Sequence, residues 1–263
     1  MNDFTIVVGL DARHLEQFRI THPTWVKNKS SLLKRKLIVF YDRNELDPSD
    51  LIDVIGGHEE IQTVPWPPKG VEYKRKGEDR FGDPHRVMML SGFVHVPAAF
   101  VKTPYWLKID TDAIAVERDD WIDPTWLDGK NAIVSHGWGF TRPPGQMLDL
   151  DKWVREECNG FDIALTEPLN LIPEPGADRL RHKRITSWCS FQLASFTKRC
   201  AYVAESTMGR GHLPVPSQDG YSWYVATRLG LPIVTTSMKK RGWAQWHTDY
   251  NVRVHAAEAM KNG

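Results

Sequence analysis

The chain has 263 residues, with 34 Lys and Arg against 33 Asp and Glu, a formal charge of +1, 41% hydrophobic and 25% charged residues, 19 Gly and 17 Pro. These values are ordinary for a globular protein and exclude a collagen, a coiled coil, a disordered tail, a disulfide mini-protein and a uniformly basic nucleic-acid binder. The length suits one large α/β domain or two small ones, with roughly 75% of the unfolded surface buried.

Phe4 to Leu10 (FTIVVGL) is a β-branched run and predicts a buried first strand, not a signal peptide. A helix is expected from Asp11, with Leu15, Phe18 and Ile20 as its apolar positions, ending before Pro23. Lys36 to Tyr41 reads as a second buried strand, Leu51 to Ile55 as a short helix, and Ile61 to Val64 as a third strand stopped by PWPP. Strand–helix alternation of this kind argues for a mostly parallel sheet covered by helices. Residues 69–82 are polar and read as a loop. Asp83 is a plausible N-cap with Pro84 at the first helical position, and Pro97 should limit that helix. Tyr105 to Ile109 (YWLKI) is a fourth strand, with residues 113–116 continuing as another.

Further on, Ala132 to Ser135 reads as a strand followed by a Gly/Pro-rich loop, GWGFTRPPG. Residues 149–157 suggest a helix, and 166–184 a long surface segment that is Pro-rich and then basic. Ser190 to Phe196 reads as a strand, with a helix from Thr197 to Glu205. Gln218 to Leu229 is a helix closed by Gly230 in the C′ position, and Ile233 to Thr236 a last strand before a polar, aromatic tail. No stretch approaches about 18 continuous apolar residues, so no transmembrane helix is expected. Cys158, Cys189 and Cys200 are odd in number and form no C-x-x-C pair. They read as reduced, buried thiols of a cytoplasmic protein.

The segment that carries chemistry is WLKIDTDAIAV, residues 106–116. Asp110 and Asp112 lie two apart at the end of a buried strand, so they project to the same side in extended structure. Two adjacent carboxylates repel unless a cation lies between them. A hard divalent ion such as Mg²⁺ or Mn²⁺ suits oxygen ligands and would itself bind a diphosphate. The carboxyl end of a strand is also where α/β sheets hold ligands.

With that D-x-D motif and the order of landmarks around it, the chain resembles nucleotide-sugar glycosyltransferases of the GT-A fold over roughly residues 4–247. The resemblance implies a single Rossmann-like domain over 1–263. Residues 1–116 would be its nucleotide-sugar half, and 117–263 its acceptor half with a closing C-terminal segment. It implies a donor such as a UDP-sugar, Mn²⁺ or Mg²⁺ held by Asp110, Asp112 and His247, and donor contacts from Asp11, Asp42, Arg86, Lys239 and Arg241. The segment 216–234 resembles the Glu-Asp helix of inverting members, with Gln218 in place of the Glu and Asp219 in the place of the catalytic base. A carboxylate at a helix start serves either as a cap or as the group that accepts a hydroxyl proton.

The acceptor stays open between a glycan, a lipid-linked sugar and a hydroxymethylated DNA base. Basic clusters at 27–36, 74–80, 179–184 and 239–241 keep an anionic acceptor in play. Nine of the 11 tryptophans lie at or after Trp106. Of these, Trp138, Trp188, Trp223 and Trp246 are the candidates for stacking on an acceptor. Two other readings compete: a nucleotidyltransferase, whose Gly-rich basic start is absent after Val8, and a non-catalytic glycan- or nucleic-acid-binding module.

Overall fold

Period-two alternation in the first strands decides the layering. In the computed structural model, residues 3–71, 83–118, 122–142, 180–208, 213, 218–238, 245–246 and 251–262 are described, with backbone only for 137–142, 180–188, 207–208 and 245–246. Strands β1 (Phe4–Leu10), β2 (Leu37–Asp42), β3 (Ile61–Trp66) and β4 (Tyr105–Ile109) come from the first half. β6 (Ile133–Arg142), β7 (Leu180–Leu193) and β8 (Ile233–Thr236) come from the second. They form one seven-stranded sheet in the order β3-β2-β1-β4-β7-β6-β8. Only β7 runs against its neighbours, so the sheet is mixed but mostly parallel. β5 (Ala113–Ile114) pairs with β9 (Gln245–Trp246) in a separate two-stranded ribbon.

Helices α1 (Ala12–Asn28) and α2 (Pro48–Ile55) cover one face, and α3 (Pro84–Phe100) the other. Ile6, Val8 and Leu10 of β1, with Leu107 and Ile109 of β4, pack under α1 and α2. The alternate residues Val7, Ile38, Phe40 and Trp106 pack against Met88 and Phe93 of α3. A further core cluster lies under α4 (Ala194–Met208) and α5 (Gln218–Arg228). α6 (Val252–Asn262) packs Val252 and Ala256 beside Ile20 of α1 and Ile114. Among the described residues no helix is long and apolar enough to cross a membrane. Cys189 and Cys200 are free and buried, and burial pushes both thiols up.

Several boundaries differ from the sequence expectation. α1 does not stop at Pro23 but continues one and a half turns past it. Pro23 lies on the exposed side, where the carbonyl it leaves unbonded meets water. α3 likewise runs past Pro97 to Phe100, held by packing on both sheet and α4. β3 includes Pro65, which an edge strand tolerates because one row of its amides has no partner to serve. The stretch GWGFTR is strand, not loop, and the basic run 180–184 is strand, not surface segment, because the two pair with each other. α6 was not foreseen in the tail. Residues 72–82 and 149–157 lie outside the described residues.

The approach of α3 to the sheet depends on two glycines. A Cβ on Gly9 of β1 would lie 2.3 Å from the Phe40 ring, and one on Gly92 of α3 would lie 2.4 Å from the same ring. Phe40 therefore fills the space between strand and helix, edge-on to Phe93 at 4.8 Å. Gly92→Ala should destabilise the fold by about 1–3 kcal/mol, the usual cost of overpacking. Urea denaturation should show a lower midpoint, and an unchanged midpoint would contradict the close packing.

On the other face His22 of α1 and His58 stack with ring centroids 5.4 Å apart and share a hydrogen bond, Nε2 to Nε2, at 3.2 Å. Burial, and then the charge of His58, push the His22 pKa down from 6.5 to about 4. A folded-state pKa below the unfolded one means that the unfolded chain takes up the proton first. Stability should therefore fall as pH drops from about 6.5 to about 4, by up to about 3 kcal/mol. In His22→Phe that part of the slope should be absent when denaturation midpoints are compared across this window.

Candidate active site at the carboxyl edge of the sheet

Asp11, Asp42 and Asp110 stand at the carboxyl ends of β1, β2 and β4, the edge at which open α/β sheets bind ligands. Asp11 is buried and caps α1: its Oδ1 accepts the His14 amide at 2.7 Å and lies 2.7 Å from His14 Nδ1. Burial tends to raise the Asp11 pKa, but the His14 hydrogen bonds and charge outweigh it and hold the carboxyl low. Burial pulls His14 down, and the Asp11 carboxylate together with the Asp110 charge outweighs it, so His14 is raised above 6.5. His14 is thus held by Asp11 at the same edge as Asp110, with its titration shifted toward the protonated form.

Asp110 is reached from below. Lys108, two residues earlier on β4 and 2% exposed, places Nζ 2.7 Å from Asp110 Oδ1 and 4.4 Å from the Phe93 ring centre. Burial raises the Asp110 pKa, Lys108 counters this, and the negative charge of Asp219 raises it again. Asp219, in the first turn of α5 and more than 100 residues away in sequence, thus acts on Asp110 through its charge. Its neighbour Gln218 is wholly buried and donates from Nε2 to Ser222 Oγ at 2.9 Å.

The chain beyond Asp110 is held by α1. Thr21 Oγ1 donates to the Thr111 carbonyl (2.6 Å), Trp25 Nε1 to that of Ala113 (2.8 Å), Asn28 Nδ2 to that of Ala115 (3.0 Å) and Lys29 Nζ to that of Glu117 (2.9 Å). Thr111 Oγ1 donates to Gln17 Oε1 at 2.6 Å. Asp112, half-buried, is the next residue of this fixed segment. On its far side the backbone of Trp246 pairs with Ala113.

Asp42 is wholly buried with both oxygens engaged. Oδ1 accepts the Asn44 amide at 2.9 Å, and Oδ2 lies 2.9 Å from His85 Nε2. Glu45 Oε1 lies 3.7 Å from the same nitrogen, and Glu45 Oε2 accepts the Ala12 amide at 3.0 Å. Arg86 is exposed in the first turn of α3; it is His85 beside it that meets Asp42.

Beyond Ser135 the β6–β7 register shifts, and residues 136–142 pair with 180–186 past the last residue of β4. Trp138 stands opposite Arg184, and Trp188 lies one residue before Cys189, the partner of Ile109. Trp223 is half-buried on α5 and packs against the core cluster there. Lys239, Arg241 and His247 lie outside the described residues.

The donor set at Asp110 and Asp112, oxygen-only and reinforced by the charge of Asp219, fits a hard divalent cation in kind. Among the described residues these three do not converge as a ligand cluster; the group that does is Asp42, Glu45 and His85. His14, Lys108, Glu45 and His85 escaped the sequence reading. A signal for two of them was present: D-x-x-H at a helix start, and a lone Lys inside an apolar strand.

The sequence matches no protein-family model and no curated protein. Solved structures do match. Core-mannan synthase A (CmsA/Ktr4) from Aspergillus fumigatus, in its Mn/GDP form, is 14% identical with a TM-score of 0.51, covering 88% of this chain and 70% of that one. The galactosyltransferase LgtC, in complex with donor and acceptor sugar analogs, is 12% identical with a TM-score of 0.48, covering 96% and 83%. The apo bifunctional glycosyltransferase WbbM is 8% identical with a TM-score of 0.49; 99% of this chain matches, spanning 45% of WbbM. At such identities the likeness concerns the fold, and the fold is the α/β GT-A fold that core-mannan synthase A shares.

Proposed function

We propose that the chain is a metal-dependent glycosyltransferase that moves a sugar from a nucleoside-diphosphate sugar to an acceptor hydroxyl with inversion. The observation that carries this reading is the line of carboxylates Asp11, Asp42 and Asp110 at the carboxyl edge of a GT-A sheet, with Asp219 within electrostatic reach of Asp110. The Mn/GDP form of core-mannan synthase A supports a divalent ion and a nucleotide in such a fold. UDP-sugars are the first donors to test, with GDP-sugars beside them.

In this reading Asp110 and Asp112 would hold Mn²⁺ or Mg²⁺, with His247, next in sequence to Trp246, as a third ligand. The cation, when bound, supplies positive charge that neutralises the departing diphosphate. Lys108, 2.7 Å from Asp110 Oδ1, opposes the rise that desolvation imposes on the Asp110 carboxyl. His14, whose pKa Asp11 and Asp110 raise, would contact the diphosphate from the start of α1, and Lys239 and Arg241 would join it. Arg86, exposed in the first turn of α3, would contact the base or a phosphate, whereas Asp42 would act through His85 and Glu45. Asp219 takes the proton of the acceptor hydroxyl as that oxygen attacks the anomeric carbon. The bond from that carbon to the diphosphate oxygen breaks, and its electron pair leaves on the diphosphate.

Trp138, Trp188, Trp223 and Trp246 are the side chains proposed to stack on the acceptor. A glycan, a lipid-linked sugar and a hydroxymethylated DNA base all offer a ring for stacking and a hydroxyl for attack.

Asp112→Ala should abolish donor turnover and also the Mn²⁺-dependent thermal shift produced by the donor nucleotide. EDTA should have the same effect on wild type, and Mn²⁺ should restore both. Full activity of Asp112→Ala would remove the metal assignment. Asp219→Asn should lower kcat by about 10²–10⁴-fold while keeping the nucleotide shift. Wild-type rates in that variant would rule out the base role.

A further inference from the structure

We propose that Asp42, Glu45 and His85 form a second metal site, a zinc-type site separate from Asp110 and Asp112, which pins the first turn of α3 to the end of β2. The ligand atoms would be Asp42 Oδ2, Glu45 Oε1 and His85 Nε2, all within 4.8 Å of one another. The imidazole nitrogen lies 2.9 Å from the Asp42 oxygen and 3.7 Å from the Glu45 oxygen. Ligands about 2.0–2.1 Å from a tetrahedral ion stand about 3.4 Å apart, so the observed separations bracket that value.

The atoms behind the ligands support the same assignment. Asp42 Oδ1 is occupied by the Asn44 amide and Glu45 Oε2 by the Ala12 amide. Each carboxylate thus has one oxygen fixed by backbone and the other turned toward His85. Metal ligands are oriented in this way by hydrogen bonds from a second layer. Charge points in the same direction. Two carboxylates converge on one imidazole, and Asp42 is 0% exposed. A divalent ion suits a place where two carboxylates meet one imidazole.

One nitrogen with two carboxylate oxygens is a set that zinc accepts, leaving a fourth position for water. On binding, His85 presents an unprotonated Nε2: an imidazolium releases that proton to solvent, whereas a neutral ring carries its proton on Nδ1. The ion would join the end of β2 and the turn after it to the start of α3, with Asp42 and His85 43 residues apart. Through Glu45 and the Ala12 amide it would also steady the start of α1. The site stands independently of the transferase reading, because neither Asp110 nor Asp112 takes part in it.

The test is equilibrium dialysis of the EDTA-stripped full chain against zinc chloride, without nucleotide, with bound zinc read by atomic absorption. Wild type and Asp112→Asn should each bind one equivalent. Glu45→Gln, which keeps an oxygen for the Ala12 amide, and His85→Gln should each lose affinity by about tenfold or more. Circular dichroism confirms that both variants are folded. The proposal is overturned if wild type binds no zinc, if either variant keeps wild-type affinity, or if Asp112→Asn loses the ion. Donor turnover decides the transferase reading separately, so the two can fail independently.

Discussion

A strand that leaves its sheet loses its hydrogen-bond partners, and the D-T-D segment leaves the sheet directly after β4. Its carbonyls at Thr111, Ala113, Ala115 and Glu117 are all taken by side chains of α1 or the residue capping it. The Ala115 amide is taken as well, by Thr24 Oγ1 at 3.1 Å. Each such group left buried without a partner would cost about 1–3 kcal/mol. The requirement explains an odd helix. Thr21, Thr24, Asn28 and Lys29 are buried on a face where a surface helix normally carries aliphatic residues. α6 closes over the same region, and Asn28 Nδ2 reaches the Ala259 carbonyl at 3.3 Å. The direction in which Asp112 points is thus a property of α1 and not of the motif alone.

The same economy governs the carboxylates at the sheet edge. A buried carboxylate without compensation is unfavourable, and each one here has a basic side chain beside it: His14 for Asp11, His85 for Asp42, Lys108 for Asp110. The three basic side chains differ in their origin. His14 comes from α1, His85 from α3 and Lys108 from the strand itself, so both faces of the sheet contribute. Phe40, held between Gly9 and Gly92, sets how near α3 approaches, and with it the height of His85. Core packing and site electrostatics are therefore coupled through one aromatic ring.

The strands and the D-T-D turn were legible because their signals are local. FTIVVGL, KLIVFY and YWLKI are apolar runs of strand length, and Asp83-Pro84 is a helix start that reads directly. The helix ends were misread at Pro23 and Pro97 because packing and solvent exposure, which the sequence does not display, decide whether an internal proline is tolerated. The ribbon of β6 and β7 was missed for a related reason. GWGFTR and RLRHKR look like loop and surface when taken separately, and become strands only when paired with each other. The charged pairs of the site were beyond reach for the most part. Asp42 and His85 are 43 residues apart, and Lys108 looked like an interruption of a strand before Asp110 gave it a purpose.

Gln218 shows how a departure from a motif can be informative. The resemblance called for a Glu there, which at 0% exposure would place a charge in the core beside Ser222. Glutamine keeps the hydrogen bond without the charge. Burying that side chain also fixes the rotation of α5 about its axis. Successive side chains on a helix point about 100° apart, so the residue that follows an inward Gln218 emerges at the flank of the helix. That residue is Asp219, half-buried and near Asp110. The substitution that weakens the motif as a string therefore still leaves Asp219 at the flank of α5.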